Sequence, residues 1–220
     1  MKQFLIIGCG RFGESIATTL YSLGHEVLVV DKDEEKVSNI SQMVTHAVIA
    51  DITNEGVLKD LGVKNFDVCV VAISSNYEAS IIATVEAKEL GVKKVVAKAK
   101  DELHSNVLKK IGADKVIIPE RDMGIRVAHN LISSNILEYI ELSEDFSMVE
   151  INLPNDWEGK SLRGINLRGK YGLNVVAIKN GIDITVNPNP DQLLKRDDVL
   201  LVVGNTKEIT NLVITTEDEL

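Results

Sequence analysis

FLIIGCGRFGESIATTL, residues 4–20, runs from an apolar β-type stretch through three glycines spaced G-x-G-x-x-G into an amphipathic helical pattern. That context gives each glycine a separate task. Gly8 permits the tight turn, Gly10 lets a pyrophosphate approach the backbone, and Gly13 allows the helix to pack closely on the strand. Phosphates then meet the positive helix N-terminus. Asp31, at the end of the next apolar stretch, stands where a ribose-binding acid is expected. The stretch therefore predicts a site for a dinucleotide or adenine nucleotide. Arg11, between the second and third glycines, sits at the helix start, where a guanidinium reaches bound phosphates and can distinguish a triphosphate from a diphosphate or dinucleotide.

Outward from this turn, residues 1–118 alternate short β-rich runs with helical ones, the pattern of a parallel sheet covered on both faces. Strands are predicted at Gln3–Ile7, Glu26–Asp31, Thr45–Ile49, Val68–Ala72, Lys94–Lys98 and Lys115–Ile118. Helices are predicted from Phe12 to Leu23 and at Glu34–Met43, Asn54–Leu61, Glu78–Leu90 and Leu103–Ile111, with Gly24, Gly62, Gly91 and Gly112 closing four of the five. The expectation is an α/β, Rossmann-type doubly wound parallel sheet.

After Pro119 one further helix, Met123–Leu137, has no strand to lead into. It reads either as a crossover arm packing on a second subunit or as a cover for its own sheet edge. Short strands follow at Ser147–Leu153, Asn174–Lys179, Ile182–Val186 and Val199–Gly204, with helices at Ser161–Lys170 and Thr206–Leu212 and a hairpin signal at Asn180-Gly181. The predicted organisation is a nucleotide-binding domain with its crossover helix at 1–137, a linker at 138–144 and a small α+β domain at 145–220, with the acidic tail Thr215–Leu220 frayed.

A net charge of −9 over 220 residues opposes nonspecific binding to nucleic acid or anionic lipid, both of which need a concentrated positive patch. Apolar runs such as Val68–Ile73 fall far short of the roughly 18–20 residues that cross a bilayer. Met1-Lys2-Gln3 leads straight into a strand, so no leader is expected and the location is read as cytoplasmic. Cys9 and Cys69 lie in or beside apolar runs and read as reduced core thiols.

Hydride chemistry finds little support. A short-chain dehydrogenase needs a tyrosine with a lysine four residues later, but Tyr21, Tyr77, Tyr139 and Tyr171 are followed at that distance by His25, Ile81, Ser143 and Val175. His25, His46, His104 and His129 are scattered, outside any acid–base or zinc-ligand pattern, and read as surface or packing residues. The second domain is too short for the usual dehydrogenase substrate pocket. The expectation is a protein with no catalytic residues.

The segments FLIIGCGRFGESIA, GHEVLVVDKDEEKV, THAVIADITNEGVLKDLGVKNFDVCVVAI, KIGADKVIIPERDMG and LRGKYGLNVVAIKNG resemble, in order and over nearly the whole chain, the RCK (regulator of potassium conductance) subunits of bacterial potassium uptake systems, the KtrA/KtrC type related to TrkA. GADKVIIPERDMG is the more specific signature. The resemblance implies an RCK_N domain followed by an RCK_C domain. It implies that ATP, ADP or NAD(H) binds at Gly8, Gly10, Arg11, Phe12, Gly13, Asp31 and Lys32, with Asp51, Ala72 and Lys98 edging the pocket. It implies homodimers assembled as an octameric ring on an integral membrane potassium-translocating subunit (KtrB/KtrD-like), so that the chain is peripheral on the inner face of the membrane, with ATP activating and ADP inactivating. Glu120 is placed to coordinate a divalent cation, Mg or Ca, near the phosphates; its plain alternative is a helix-start acid favouring the dipole. For the second domain the likeness implies cyclic di-AMP binding, with Arg168 on phosphate and Ile165, Asn174, Val175 and Pro190 framing adenine, against a purely structural dimerisation role.

Three functions stay open on sequence. They are a non-catalytic nucleotide-sensing gating subunit, a small NAD-dependent oxidoreductase using Asp31 to select its cofactor, and a second-messenger receptor with no membrane partner.

Overall fold

In the computed structural model, which describes residues 1–132, 136–143 and 145–217, six parallel strands form one sheet. They are β1 (Gln3–Ile7), β2 (Glu26–Asp31), β3 (His46–Ile49), β4 (Val68–Val71), β5 (Lys94–Lys98) and β6 (Lys115–Ile117). Their order is β3-β2-β1-β4-β5-β6, so the chain reverses its winding between β1 and β4, the crevice where such sheets bind ligands. The strands are apolar on both faces because both are covered. Leu5 and Ile7 pack into one layer with Val30, Cys69 and Val71, while Ile6 turns to the other with Val27, Val29 and Val70.

The connecting helices are α1 (Arg11–Ser22), α2 (Glu34–Ile40), α3 (Val57–Asp60), α4 (Tyr77–Glu89) and α5 (Glu102–Lys110). Asp33, Asn76 and Asp101 cap α2, α4 and α5 with side-chain oxygens accepting backbone N–H groups, the expected use of short polar residues at a helix start. Two helices are shorter than expected. The chain turns back at Ile40, where Met43 N–H bonds the Ile40 carbonyl. Gly56 takes a left-handed φ of 84°, so a regular helix begins only at Val57.

The chain divides into two compact units, Met1–Glu120 and Arg121–Leu220. Helix α6 (Pro119–Ile132) starts four residues before the expected Met123, because Pro119 sits comfortably in a first helical turn, where no N–H is needed. It ends before the expected Leu137; residues 133–135 lie outside the described residues. Leu137 and the first part of the expected linker instead form β7 (Ile136–Glu141). Glu144 of that linker and residues 218–220 of the acidic tail are likewise outside the described residues.

β7 is the edge of a five-stranded antiparallel sheet with β8 (Phe146–Asn152), β9 (Asn174–Asn180), β10 (Asp183–Val186) and β11 (Val199–Asn205), ordered β10-β9-β11-β8-β7. Asn180 pairs with Asp183, so Gly181 and Ile182 form the two-residue hairpin loop. The helix expected at Ser161–Lys170 is two pieces, α7 (Leu162–Ile165) and α8 (Leu167–Tyr171). Asn166, at φ 54°, ends the first, and its side-chain oxygen accepts the Gly169 N–H to start the second. α9 (Thr206–Glu217) closes the unit, its Ile209 and Leu212 packing with Val149, Trp157, Leu173, Leu200 and Val202. A buried hydroxyl chain ties its start to the sheet, Tyr139 Oη to Ser147 Oγ at 2.7 Å and Ser147 Oγ to Thr206 Oγ1 at 2.8 Å.

Candidate nucleotide site

The glycine turn sits at the C-terminal end of β1, in the crevice. Gly8 has φ of 100°, outside the range ordinary side chains adopt, and donates its N–H to the Val30 carbonyl at 2.8 Å. A Cβ on Gly13 would overlap the Gly8 carbonyl oxygen, so close packing of α1 on the turn requires glycine there. Gly10 faces open space, with no atom within 4 Å of where a Cβ would stand, and no side chain caps α1 behind it. An uncapped helix start opening on free space has the polarity and room for an anion. Asp31 fixes the turn from β2: its Oδ2 accepts the Cys9 N–H at 2.6 Å and its Oδ1 accepts the Asp33 N–H at 3.0 Å. The part of Asp31 in holding the loop was not legible in sequence, since the donor is a backbone group.

The expected pocket residues of the first unit lie at strand ends or shortly after them, on this one edge of the sheet. Lys32, after β2, reaches Asp51, after β3, at 4.0 Å. Asp51 is held below the usual carboxylate range, first by the Thr53 hydroxyl, 2.7 Å away, then by the Thr53 N–H. Ala72, after β4, takes the Ile7 carbonyl at 2.7 Å and lies against Gly13. Lys98, ending β5, has a side chain only 11% exposed; its Nζ lies 2.7 Å from Glu120 Oε1 and 5.6 Å from the centre of the Phe12 ring. Lys98 holds Glu120 below the ordinary glutamate range, and Arg11 adds to this at longer range. Arg11, Phe12, Lys98 and Glu120, from three separate elements, thus form one group at the start of α1.

Next to Lys98 lies a cluster that the sequence reading left out. Tyr77, the first residue of α4, donates its hydroxyl to Asp101 Oδ2, while Asp101 Oδ1 caps α5 by accepting the His104 N–H at 2.8 Å. The Tyr77 and His104 rings lie 4.4 Å apart, and the Lys100 N–H points to His104 Nδ1 at 3.3 Å. His104 is buried, the packing one of the two roles expected for it. The capping signal at Asn76 and Asp101 was available in sequence; the bond between the two caps' helices was not.

Cys9 and Cys69 are both buried, and burial raises their thiols to about 11 and about 12, so neither is a nucleophile near neutral pH. Among the described residues no group of three or more His, Cys, Asp and Glu is arranged to hold a metal. The side chain of His129 lies outside the described residues.

In the second unit Arg168, on α8, and Asn174, opening β9, are exposed, Val175 is half-buried, and Pro190 is exposed with its carbonyl accepting the Arg163 N–H at 2.8 Å. Ile165 differs: it is 4% exposed and packs in the core of the unit. Arg163 is engaged with Asp191, Nε to Oδ1 at 2.6 Å, which leaves Arg168 as the exposed arginine of this stretch with no such partner among the described residues.

Residues 4–119 match the TrkA-N domain and residues 147–213 the TrkA-C domain. The chain is 46% identical over 209 residues, 95% of each chain, to the Ktr system potassium uptake protein C of Bacillus subtilis (strain 168). It is 38% identical over 210 residues, 96% of each, to the Ktr system potassium uptake protein A of Vibrio alginolyticus. The solved GsuK RCK domain shares the fold, with a TM-score of 0.69 at 19% identity across 97% of this chain and 47% of the GsuK chain, so this chain spans about half of that one. Among the described residues no helix is long and apolar enough to cross a membrane.

Proposed function

The chain belongs to the family of potassium uptake proteins built from a TrkA-N and a TrkA-C domain, and from that premise we propose that it is a non-catalytic gating subunit that senses adenine nucleotides for a membrane potassium transporter. The observation that carries the reading is the convergence of an uncapped α1 start, Asp31, Arg11 and Lys98 on one sheet edge. The ribose belongs on the Asp31 side and the phosphates over Gly10. Arg11 and Lys98 grip the terminal phosphate, so ATP and ADP differ in affinity for two arrangements of the assembly, ATP favouring the active one. NAD(H) fits the same crevice as an alternative occupant.

The proposed assembly is a homodimer, repeated as an octameric ring under an integral membrane potassium-translocating subunit. Its support in this chain is the exposed apolar series Met123, Ile125, Val127 and Leu131 on α6, which a second copy would cover. A divalent cation, Mg or Ca, fits only together with the ligand: Glu120 supplies a carboxylate, but Lys98 and Arg11 stand beside it, so phosphate oxygens must offset their charge before a cation is held. In the second unit Arg168, Asn174, Val175 and Pro190 would take cyclic di-AMP, with Ile165, which is buried, supporting them from the core.

Calorimetric titration of the purified chain with ATP, ADP and NAD tests the site, and recovery of an integral membrane protein with a tagged copy tests the partner. Absence of heat with every adenine nucleotide would sink the sensor, and a change in nicotinamide absorbance on adding substrates would turn the reading to an oxidoreductase.

A further inference from the structure

We propose that Tyr77 is a positioning residue for the phosphate end of this site, acting through Lys98; the inference rests on the adenine-nucleotide reading above. The loops that follow β4 and β5 both border the crevice, one beginning with Ala72 and the other leaving Lys98. Their far ends are tied together. The Tyr77 hydroxyl on Asp101 crosses between them, and the two carboxylate oxygens of Asp101 serve different helices, one accepting from α4 and the other capping α5. His104 seals the tie from below, its ring against Tyr77 and its Nδ1 on the Lys100 N–H. The short segment from Lys98 to Asp101 is otherwise held by the pairing of Lys98 with Ile117, by the Ala99 N–H on the Ile117 carbonyl at 2.8 Å and by the Asp101 carbonyl accepting the Ser105 N–H at 2.9 Å.

Two features separate this tie from ordinary packing. His104 Nε2 is buried with no hydrogen-bond partner among the described residues, a cost that well-packed proteins rarely carry without a reason beyond packing. Tyr77 itself is 39% exposed, so its ring fills little of the core, and its hydroxyl is spent on a loop at the ligand-binding edge. The Lys98 Nζ sits over Phe12 and against Glu120 beside the phosphate position, so a shift of the Lys98–Asp101 segment moves that ammonium directly. A misplacement of the order of 1 Å is enough to weaken a contact made by one charged group.

The test is a double-mutant cycle read by calorimetric titration with ATP on the full chain. Tyr77→Phe keeps the ring and removes the tie; it is expected to weaken ATP binding about five-fold, the scale of one hydrogen bond. In a Lys98→Ala background the same change is expected to have no further effect, a coupling that general loosening of the fold does not produce. Asp101→Ser, which keeps a helix cap but has no second oxygen for the Tyr77 hydroxyl, serves if Tyr77→Phe fails to fold, and is expected to weaken ATP binding in the same Lys98-dependent way. Wild-type affinity in Tyr77→Phe, or losses that simply add to those of Lys98→Ala, overturns the proposal while leaving the nucleotide site standing. A wild-type chain that binds no ATP removes the nucleotide reading, and this inference with it.

Discussion

Lys98 Nζ and Glu120 Oε1 stand 2.7 Å apart at the start of α1, with the lysine side chain nearly enclosed and the glutamate largely open to solvent. The pair joins the ends of β5 and β6 where a terminal phosphate would lie. Lys98 lowers the Glu120 carboxyl, so the ion pair is complete above the ordinary glutamate range and is lost as pH falls through the lowered folded value. Lys98→Ala is expected to return Glu120 upward toward its ordinary range, a change visible in a carboxyl-carbon NMR titration; an unmoved Glu120 would mean another group holds it down.

Arg11→Ala is expected to weaken ATP about ten-fold, the scale of one charge-assisted contact, and to weaken ADP and NAD less. Equal losses for all three ligands in calorimetry would show that Arg11 does not read the terminal phosphate.

Glu120→Gln keeps the shape of the side chain and removes its charge. ATP binding by this variant is expected to become insensitive to Mg or Ca, measured by titration with and without the ion, while wild type binds ATP more tightly when the ion is present. The same gain from the ion in both proteins would take Glu120 out of the cation site.

Gly13→Ala forces a methyl group into the Gly8 carbonyl oxygen. A destabilisation of about 1–3 kcal/mol is expected from this overpacking, seen as a lower urea midpoint, together with loss of ATP binding. Gly10→Ala meets no atom and serves as the control for the fold.

Arg168→Ala is expected to abolish cyclic di-AMP binding and leave ATP binding intact, whereas Ile165→Ala, in the core, costs about 2–5 kcal/mol of stability. Unchanged dinucleotide affinity in Arg168→Ala would place that ligand elsewhere.

The first unit was legible because its signals are local. Apolar runs mark β1 to β6, and glycines close α1, α3, α4 and α5 within a residue or two of where the period ends. β7 was hidden for a physical reason. It is an edge strand with a break in register between Ile136 and Glu138, so its alternation is interrupted, and Glu138 and Glu141 give it the look of a linker. Asn166 was hidden because an asparagine inside a helical pattern looks merely weak until its left-handed φ shows that it ends one helix and caps the next. At the site, Asp31, Arg11 and Glu120 were each visible singly, and Lys98 only through the family resemblance. Their meeting was not, because contacts between the ends of distant strands depend on the strand order rather than on any spacing along the chain.

That strand order also governs when the pocket comes into being. Its walls are drawn from residues as far apart as Gly8 and Glu120, so no fragment ending before β6 contains it, and the site is complete only when the last strand has docked. A nucleotide bound there, as proposed, would therefore couple its occupancy to the integrity of the whole parallel sheet. On the proposed reading, a nucleotide at a hundred times its dissociation constant would by mass action deepen that unit's stability by about 2.7 kcal/mol, so the ligand that sets the state of the subunit would also hold its sheet together.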